Sequence, residues 1–372
     1  MLAKYPYCMA SALVWYTIIQ DFDRGQGAVS EGFSAFHQRV AAEVGWCKPH
    51  RHNGQGLRAI MLGFIIHRLL LAIPTVFAVT ALLFFSVTSL LGSPATMMLG
   101  ENATPEAVAD LNARLGFDRP VHVQYVAWLA HALRGDFGRS FATQQPVASA
   151  LLPAVPVTVE LAFWSILIAG ALAVVLNSVP SGRRAIEPTI IGLNILGVTV
   201  PNFMLGITLV FLFAVTLGWL PSTGWVPWSD GVVQHMKHLI LPVATLSAYY
   251  FGAFSMVFRA EQRDVYRKLY IQVARSKGLS EWKVAFKHAM PNAVLPVVTF
   301  MGLAMGQLTG GAVVTETVFS MPGVGRLFVA SIAAHDFPVM LAIAMMVVVA
   351  VVLMNILVDL VYTLIHPQIR LE

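Results

Sequence analysis

Charge is what this chain is most short of. Asp, Glu, Lys and Arg make up 12% of its 372 residues, while 57% are hydrophobic. A soluble domain carries about a quarter charged residues. That deficit excludes an all-aqueous surface, so lipid must cover much of the chain. Cysteine is nearly absent as well: Cys8 and Cys47 are too few for a disulfide framework and lack metal-ligand spacing. No Gly-Lys dipeptide occurs, which removes the phosphate-cradling loop G-x-x-x-x-G-K-[ST]. His-Glu pairs and G-x-S-x-G are missing too, and with them two common signatures of a membrane-embedded enzyme. The net charge of +5 does not point to nucleic acid, because in so apolar a chain Lys and Arg report topology.

What is present is long apolar windows. Six of them hold predicted spans, since a bilayer core takes about 20 helical residues. The spans are placed at about Leu69–Leu90, Leu161–Val179, Ile190–Leu217, Leu239–Phe258, Ala293–Val314 and Val339–Ile365, the last with Asp359 near its cytoplasmic end. Pro74, Pro201, Pro242 and Pro296 lie inside them and predict kinks. The fold class read from this pattern is an all-α polytopic membrane protein. Orientation follows from the short loops. Arg259, Arg263, Arg267, Lys268, Arg275, Lys277, Lys283 and Lys287 crowd the loop between the fourth and fifth spans, and Arg183 and Arg184 mark that between the second and third. The opposite side has only Lys237 and Arg326 in its short loops, so both termini are expected in the cytoplasm. Residues 92–156 then form an external segment.

Residues 1–60 fit this plan poorly. Ala10–Ile19 is apolar but too short to span, and no cleavage region follows it. The stretch is expected to be a poorly ordered cytoplasmic tail, or an over-long reading of the gene, with Met61 opening "MLGFIIHRLL" as a natural start.

The basic loop, 259–292, is punctuated. Tyr266–Lys277 contains helix formers, and Gly278 supplies the positive φ that ends helices. Ser280 is a good N-cap for a second helix, with Glu281 in its first turn, running to Met290, where Pro291 blocks continuation. Trp282 and Phe286 share one side of that helix, Lys283 and Lys287 another. A basic patch lying on anionic headgroups explains the charge. It does not explain a sharply terminated pair of helices, which suits a helix-in-groove contact with a partner. In the fifth span Gly302, Gly306 and Gly310 form a small-residue ridge, which either packs a neighbouring helix or faces a partner or pathway. Gln307 and Thr309 are polar within it, and Glu316 closes its external end. His235 and His238, three apart, and His335 beside Asp336 are weak evidence for a metal.

The run Gln272-Val-Ala274, three residues, Gly278, then Met290-Pro291 resembles the "EAA" loop of ABC-importer permeases. "VARSKGL" (273–279) is similar to the version found in the dipeptide, oligopeptide and nickel branch. The likeness extends through "LGFDRPVHVQYVAWLAHALRGDFGRSF" (115–141), "PVTVELA" (156–162), "VPNFMLG" (200–206), "TETVFSMPGVGRL" (315–327), "HDFPV" (335–339) and "NILVDLVYTLIHPQIR" (355–370). Gln272, Val273, Met290, Met321, His366 and Gln368 depart from the usual pattern, and residues 1–60 are not covered.

The resemblance implies a type I ABC-importer permease fold over residues 61–372, with six transmembrane helices and a cytoplasmic coupling helix. It implies a bacterial inner-membrane location and transport of di- or oligopeptides, with nickel or another small solute as the alternative. The implied partners are a second similar permease, two cytoplasmic ATPases that use ATP and Mg, and an extracytoplasmic substrate-binding protein. No cofactor, metal or nucleic acid is implied for this chain. The ATPase-coupling residues would be Gln272, Ala274, Arg275, Lys277, Gly278, Trp282, Lys283, Phe286 and Pro291. The pathway or permease interface would draw on Gly302, Gly306, Gln307, Thr309, Gly310 and Glu316. A passive channel or an intramembrane enzyme is the rival of another class, and a channel would not need the cytoplasmic elbow.

Overall fold

A computed structural model describes residues 70–86, 104–178 and 186–365, with single positions at 88, 95 and 99. Residues 1–60, the Arg183–Arg184 loop and the ends of the first span lie outside the described residues. Among those described, the chain is helical without a β-strand, and Arg139 and Pro146 form an isolated antiparallel bridge. The helices are α1 (Leu70–Ser86), α2 (Pro105–Leu115), α3 (Val121–Ala132), α4 (Val147–Ser178), α5 (Ile186–Thr199) and α6 (Asn202–Leu209). They continue with α7 (Val232–Tyr266), α8 (Leu269–Ser276), α9 (Glu281–Ala293), α10 (Leu295–Gly311), α11 (Val313–Val318), α12 (Val324–Ala333) and α13 (Phe337–Ile365). Three, α4, α7 and α13, are long and apolar enough to cross a membrane. Two bent pairs raise that number to as many as five, and α1 is a shorter apolar helix.

Helix α4 is longer than the window from Leu161, because it runs unbroken through Pro153 and Pro156. Each proline forfeits a backbone bond at a cost of about 3 kcal/mol in a helix interior. Val147, Leu151, Ala154, Thr158, Leu161 and Ser165 nevertheless make one buried stripe at helical spacing, with both prolines on the exposed side. Burying Val147, Leu151 and Leu161 gains about 1.5–3 kcal/mol each, which offsets the loss at the two prolines. Pro74 and Pro242 are likewise carried within α1 and α7.

The third window is not one rod. After α5 the chain turns by 107° at Val200-Pro201 before α6, which continues to Thr216 in wider π-helical turns. Proline disfavours helical geometry in the residue before it, so Val200 ends α5. The fourth-to-fifth connection differs from expectation in the other direction. The helix from Glu281 does not stop at Pro291 but runs to Ala293, bending 47° into α10. Val284–Ala289 is a π-helical stretch, and Pro291 falls in the first turn of the α-helical segment that follows, where a missing N–H costs nothing. Similarly, α7 ends at Tyr266 and α8 starts afresh after Lys268, so Tyr266–Lys277 is not one helix.

The main core lies between α4, α7 and α10, around Leu161, Ile166, Leu246, Phe254, Phe258, Val297 and Leu308. Helix α5 crosses α7 with almost no space between backbones. A Cβ on Gly197 would sit 2.3 Å from the Ala248 carbonyl oxygen, and one on Gly252 would sit 2.5 Å from that of Asn194. Gly252→Ala is therefore expected to cost about 1–3 kcal/mol by overpacking, read as earlier unfolding of the detergent-solubilised protein in an SDS titration. An unchanged midpoint would mean the crossing is looser than described.

Candidate functional site

Two constructions stand out, one on each side of the spans. The first is the elbow between α7 and α10. In α8, Ile271 and Ala274 are buried, while Leu269, Tyr270, Gln272 and Val273 are exposed. Gly278 follows at φ +75°, with open space around the position a Cβ would take. The turn therefore needs glycine for its backbone conformation rather than for room. Arg275 Nε and one terminal guanidinium nitrogen donate to the two oxygens of Glu281 at 2.9 and 3.0 Å, a bidentate pair linking α8 to α9. The same guanidinium lies 5.3 Å from the centre of the Tyr266 ring at the end of α7. Three helix ends thus meet on one side chain. Ser280 occupies the N-cap position without a side-chain capping bond, and the Trp282 and Phe286 rings stack at 5.4 Å.

Of the predicted coupling residues, Gln272, Arg275, Lys277, Gly278, Trp282, Lys283 and Pro291 are exposed, Phe286 is half-buried and Ala274 is buried. Exposed ion pairs contribute at most about 1 kcal/mol. Glu281→Ala is therefore expected to leave the unfolding midpoint almost unchanged, and a large loss would show a strut of greater weight.

The second construction is at the opposite end of the spans from the elbow. Glu316, on α11, is wholly buried. Thr158 of α4 donates its hydroxyl to Glu316 Oε1 at 2.5 Å and accepts the Val324 N–H at 2.8 Å. Glu316 Oε2 accepts the Arg326 N–H at 2.9 Å, and the Gly325 N–H bonds the carboxylate as well. These are the opening N–H groups of α12, which no earlier turn can satisfy. An acid at a helix N-terminus also meets the positive end of the macrodipole. Gly323 makes this approach possible, since a Cβ there would lie 2.3–2.5 Å from the carboxylate atoms. Burial pushes the Glu316 carboxyl above its ordinary range, and the donors from Thr158, Arg326 and Gly325 oppose that shift.

Two further links tie this same end together. Asp336, also buried, accepts the Ser140 hydroxyl and the Phe141 N–H, the latter at 3.0 Å. Glu160 accepts the indole N–H of Trp228 at 3.0 Å and pairs with His235 Nε2 at 2.9 Å. His235 Nδ1 faces the Val226 carbonyl at 2.6 Å. Both ring nitrogens of His235 are thus occupied by oxygen partners. His238 Nδ1 instead lies 2.8 Å from the Gln234 carbonyl. Among the described residues no group of three or more His, Cys, Asp or Glu is placed to hold a metal ion.

Gly302 and Gly306 face α13 within the same chain, against Val358 and against Val351 and Met354. Gln307 is exposed, and the side-chain surroundings at Thr309 and Gly310 lie outside what is described. The elbow and the Glu316 network are thus separate sites. Sequence reasoning missed Thr158, Ser140, Glu160 and Tyr266. The partners of Thr158, Ser140 and Glu160 lie far along the chain, where spacing alone does not connect them, and Tyr266 meets Arg275 only because the chain breaks between α7 and α8. Gly323 and Gly325, two small residues beside Pro322, were the available signal for a close carboxylate.

Comparison with known proteins identifies the family. Residues 163–371 match the family described as "Binding-protein-dependent transport system inner membrane component", and residues 61–162 match the N-terminal family of the same systems. A Brucella melitensis protein named as a peptide transport system permease is 38% identical over 84% of this chain and 100% of its own. The glutathione transport system permease protein GsiC of Salmonella choleraesuis is 37% identical over 83% of this chain and 99% of its own. A crystal structure of an amino acid ABC transporter with histidines overlays 60% of this chain and 95% of its own at 13% identity, with a TM-score of 0.44. The chain is a multi-pass membrane protein and belongs to the inner-membrane permease components of binding-protein-dependent transport systems.

Proposed function

We propose that this chain is the permease through which an ABC importer passes di- or oligopeptides across a bacterial inner membrane. ATP and Mg are used by two partner ATPases, a second similar permease completes the pore, and an extracytoplasmic protein delivers the substrate. The peptide assignment rests on what the relatives from Brucella and Salmonella are named for. The transmembrane domain is residues 61–372, with 1–60 an extension outside it. The six spans are α1, α4, α5 with α6, α7, α9 with α10, and α13, and both termini are cytoplasmic.

The observation that carries the division of labour is the elbow. It presents Leu269, Tyr270, Val273 and Trp282 outward beside Lys277 and Lys283. Exposed apolar groups on a braced turn are suited to seating in a groove of another protein, and this chain lacks the loop needed to hydrolyse ATP itself. Closure of the ATPase pair would move the elbow as a rigid body and tilt α7 and α10, a domain-rotation transition. The test is cysteine crosslinking from Trp282→Cys in native membranes. Capture of an ATP-hydrolysing subunit is expected. Capture of none, or labelling of that cysteine by an impermeant reagent from outside, would overturn the proposal. Uptake of labelled di- and oligopeptides against nickel then assigns the cargo.

A further inference from the structure

The segment between α1 and α4 contains two unlike helices. Helix α2 carries Glu106, Asp110 and Arg114, with Asp110 and Arg114 paired at 2.9 Å, and is built for water. Helix α3 is the reverse. From Pro120 to Leu133 there is no Asp, Glu, Lys or Arg, and Arg119 and Arg134 stand at either edge. One side of α3 buries Tyr125, Leu129 and Ala132 in a cluster with Phe84 of α1 and Leu341 and Met345 of α13. Its other side exposes Val123, Val126, Ala127 and Ala130, with Val126 at 63%.

The partners fix the depth. Leu341 and Met345 lie about one and two turns into α13 from its start at Phe337, roughly 6 and 12 Å along the axis. Asp336 marks the external end of that helix. Half a hydrocarbon core is about 15 Å thick. The Tyr125 hydroxyl also donates to the Phe77 carbonyl at 3.0 Å, well down α1. The remaining polarity of α3 lies toward its ends: Gln124 bonds the Phe117 and Arg119 carbonyls at 3.1 and 2.8 Å, His131 Nδ1 lies 3.4 Å from Asp136 Oδ2, and the His122 and His131 rings are exposed beside Arg119 and Arg134.

We propose that α3 is an external-leaflet helix inserted beside α1 and α13, its Val123–Val126–Ala130 face covered by lipid acyl chains. It continues the lipid-facing surface of those two spans. Arg119 and Arg134 reach from its ends toward lipid phosphates, as long basic side chains do at membrane edges. Residues 92–156 are then not a uniformly aqueous segment, since α2 is in water and α3 in lipid. This rests on the topology proposed above.

A nitroxide on Val126→Cys tests it, in the assembled transporter in vesicles, with Cys8 and Cys47 changed to Ser. The label is expected to collide with dissolved oxygen and to be shielded from a water-soluble nickel chelate, whereas a label on Asp110→Cys meets the chelate freely. Chelate access at position 126 would place α3 in water, and loss of access to both reagents would place protein over it. Either result overturns the proposal. Ala130→Cys reports the same face should the first variant fail to assemble. A separate His335→Cys variant, labelled from outside by an impermeant maleimide, checks the topology, so its failure is distinguishable from that of α3.

Discussion

Replacing Glu316 by alanine is expected to cost at least about 3 kcal/mol of stability and to abolish uptake. The buried Thr158 hydroxyl and Gly325 N–H and the partly buried Arg326 N–H lose their acceptor together. An orphaned buried donor costs roughly 1–3 kcal/mol. Relief of the desolvated carboxylate offsets part of that loss, and water entering the vacated space recovers a little more. Glu316→Gln keeps the shape but aims an amide N–H₂ at one of the donors, so it falls between alanine and wild type. Thr158→Val removes the hydroxyl that bridges Glu316 to Val324 and should not add to Glu316→Gln, because both act on one network. SDS titration of the purified variants measures all of these. Wild-type stability in Glu316→Ala would show that α12 is held by something else.

The second large effect is expected at Gly278, and it is of another kind. At φ +75° with open space around it, the residue resists substitution only through its backbone. An L-residue in that region pays about 1–2 kcal/mol, and a β-branched one pays more. Asparagine tolerates the conformation best, so loss of uptake should grow in the order Asn, Ala, Val. The spans should remain assembled, because no core contact is touched. In a reconstituted transporter, Gly278→Val is expected to hydrolyse ATP while moving little substrate. Equal impairment by all three residues would point to a steric contact instead, and normal uptake by the valine variant would remove the elbow from the transport cycle.

How far the sequence could be read depended on the range of the interaction. Apolar windows and the basic loop are local and cumulative, so the helical class and the position of the elbow followed from composition. Gly278 was legible because a positive φ has one preferred residue. Prolines do not act alike: Pro201, read as a kink, accompanies a 107° turn, whereas Pro153, outside the predicted span, lies within an unbroken helix. The difference is made by which face is buried, and that is set by neighbouring helices. The ridge Gly302–Gly306–Gly310 drew notice, yet the tightest backbone approach among the described residues is Gly197 and Gly252 across α5 and α7. Single small residues on two different helices leave no periodic trace. Glu160 with His235 and Glu316 with Thr158 were hidden for the same reason, being separated by 75 and 158 positions.

The hydrogen bond from Ser140 to Asp336 joins residues 196 positions apart. Four of the six proposed spans lie inside the ring it closes. During synthesis, the segment around Ser140 must wait for Asp336, at the threshold of the last helix, before it can settle, and a chain truncated ahead of Asp336 leaves Ser140 without its acceptor. Completion of the oldest part of the protein is thereby deferred to the arrival of the newest.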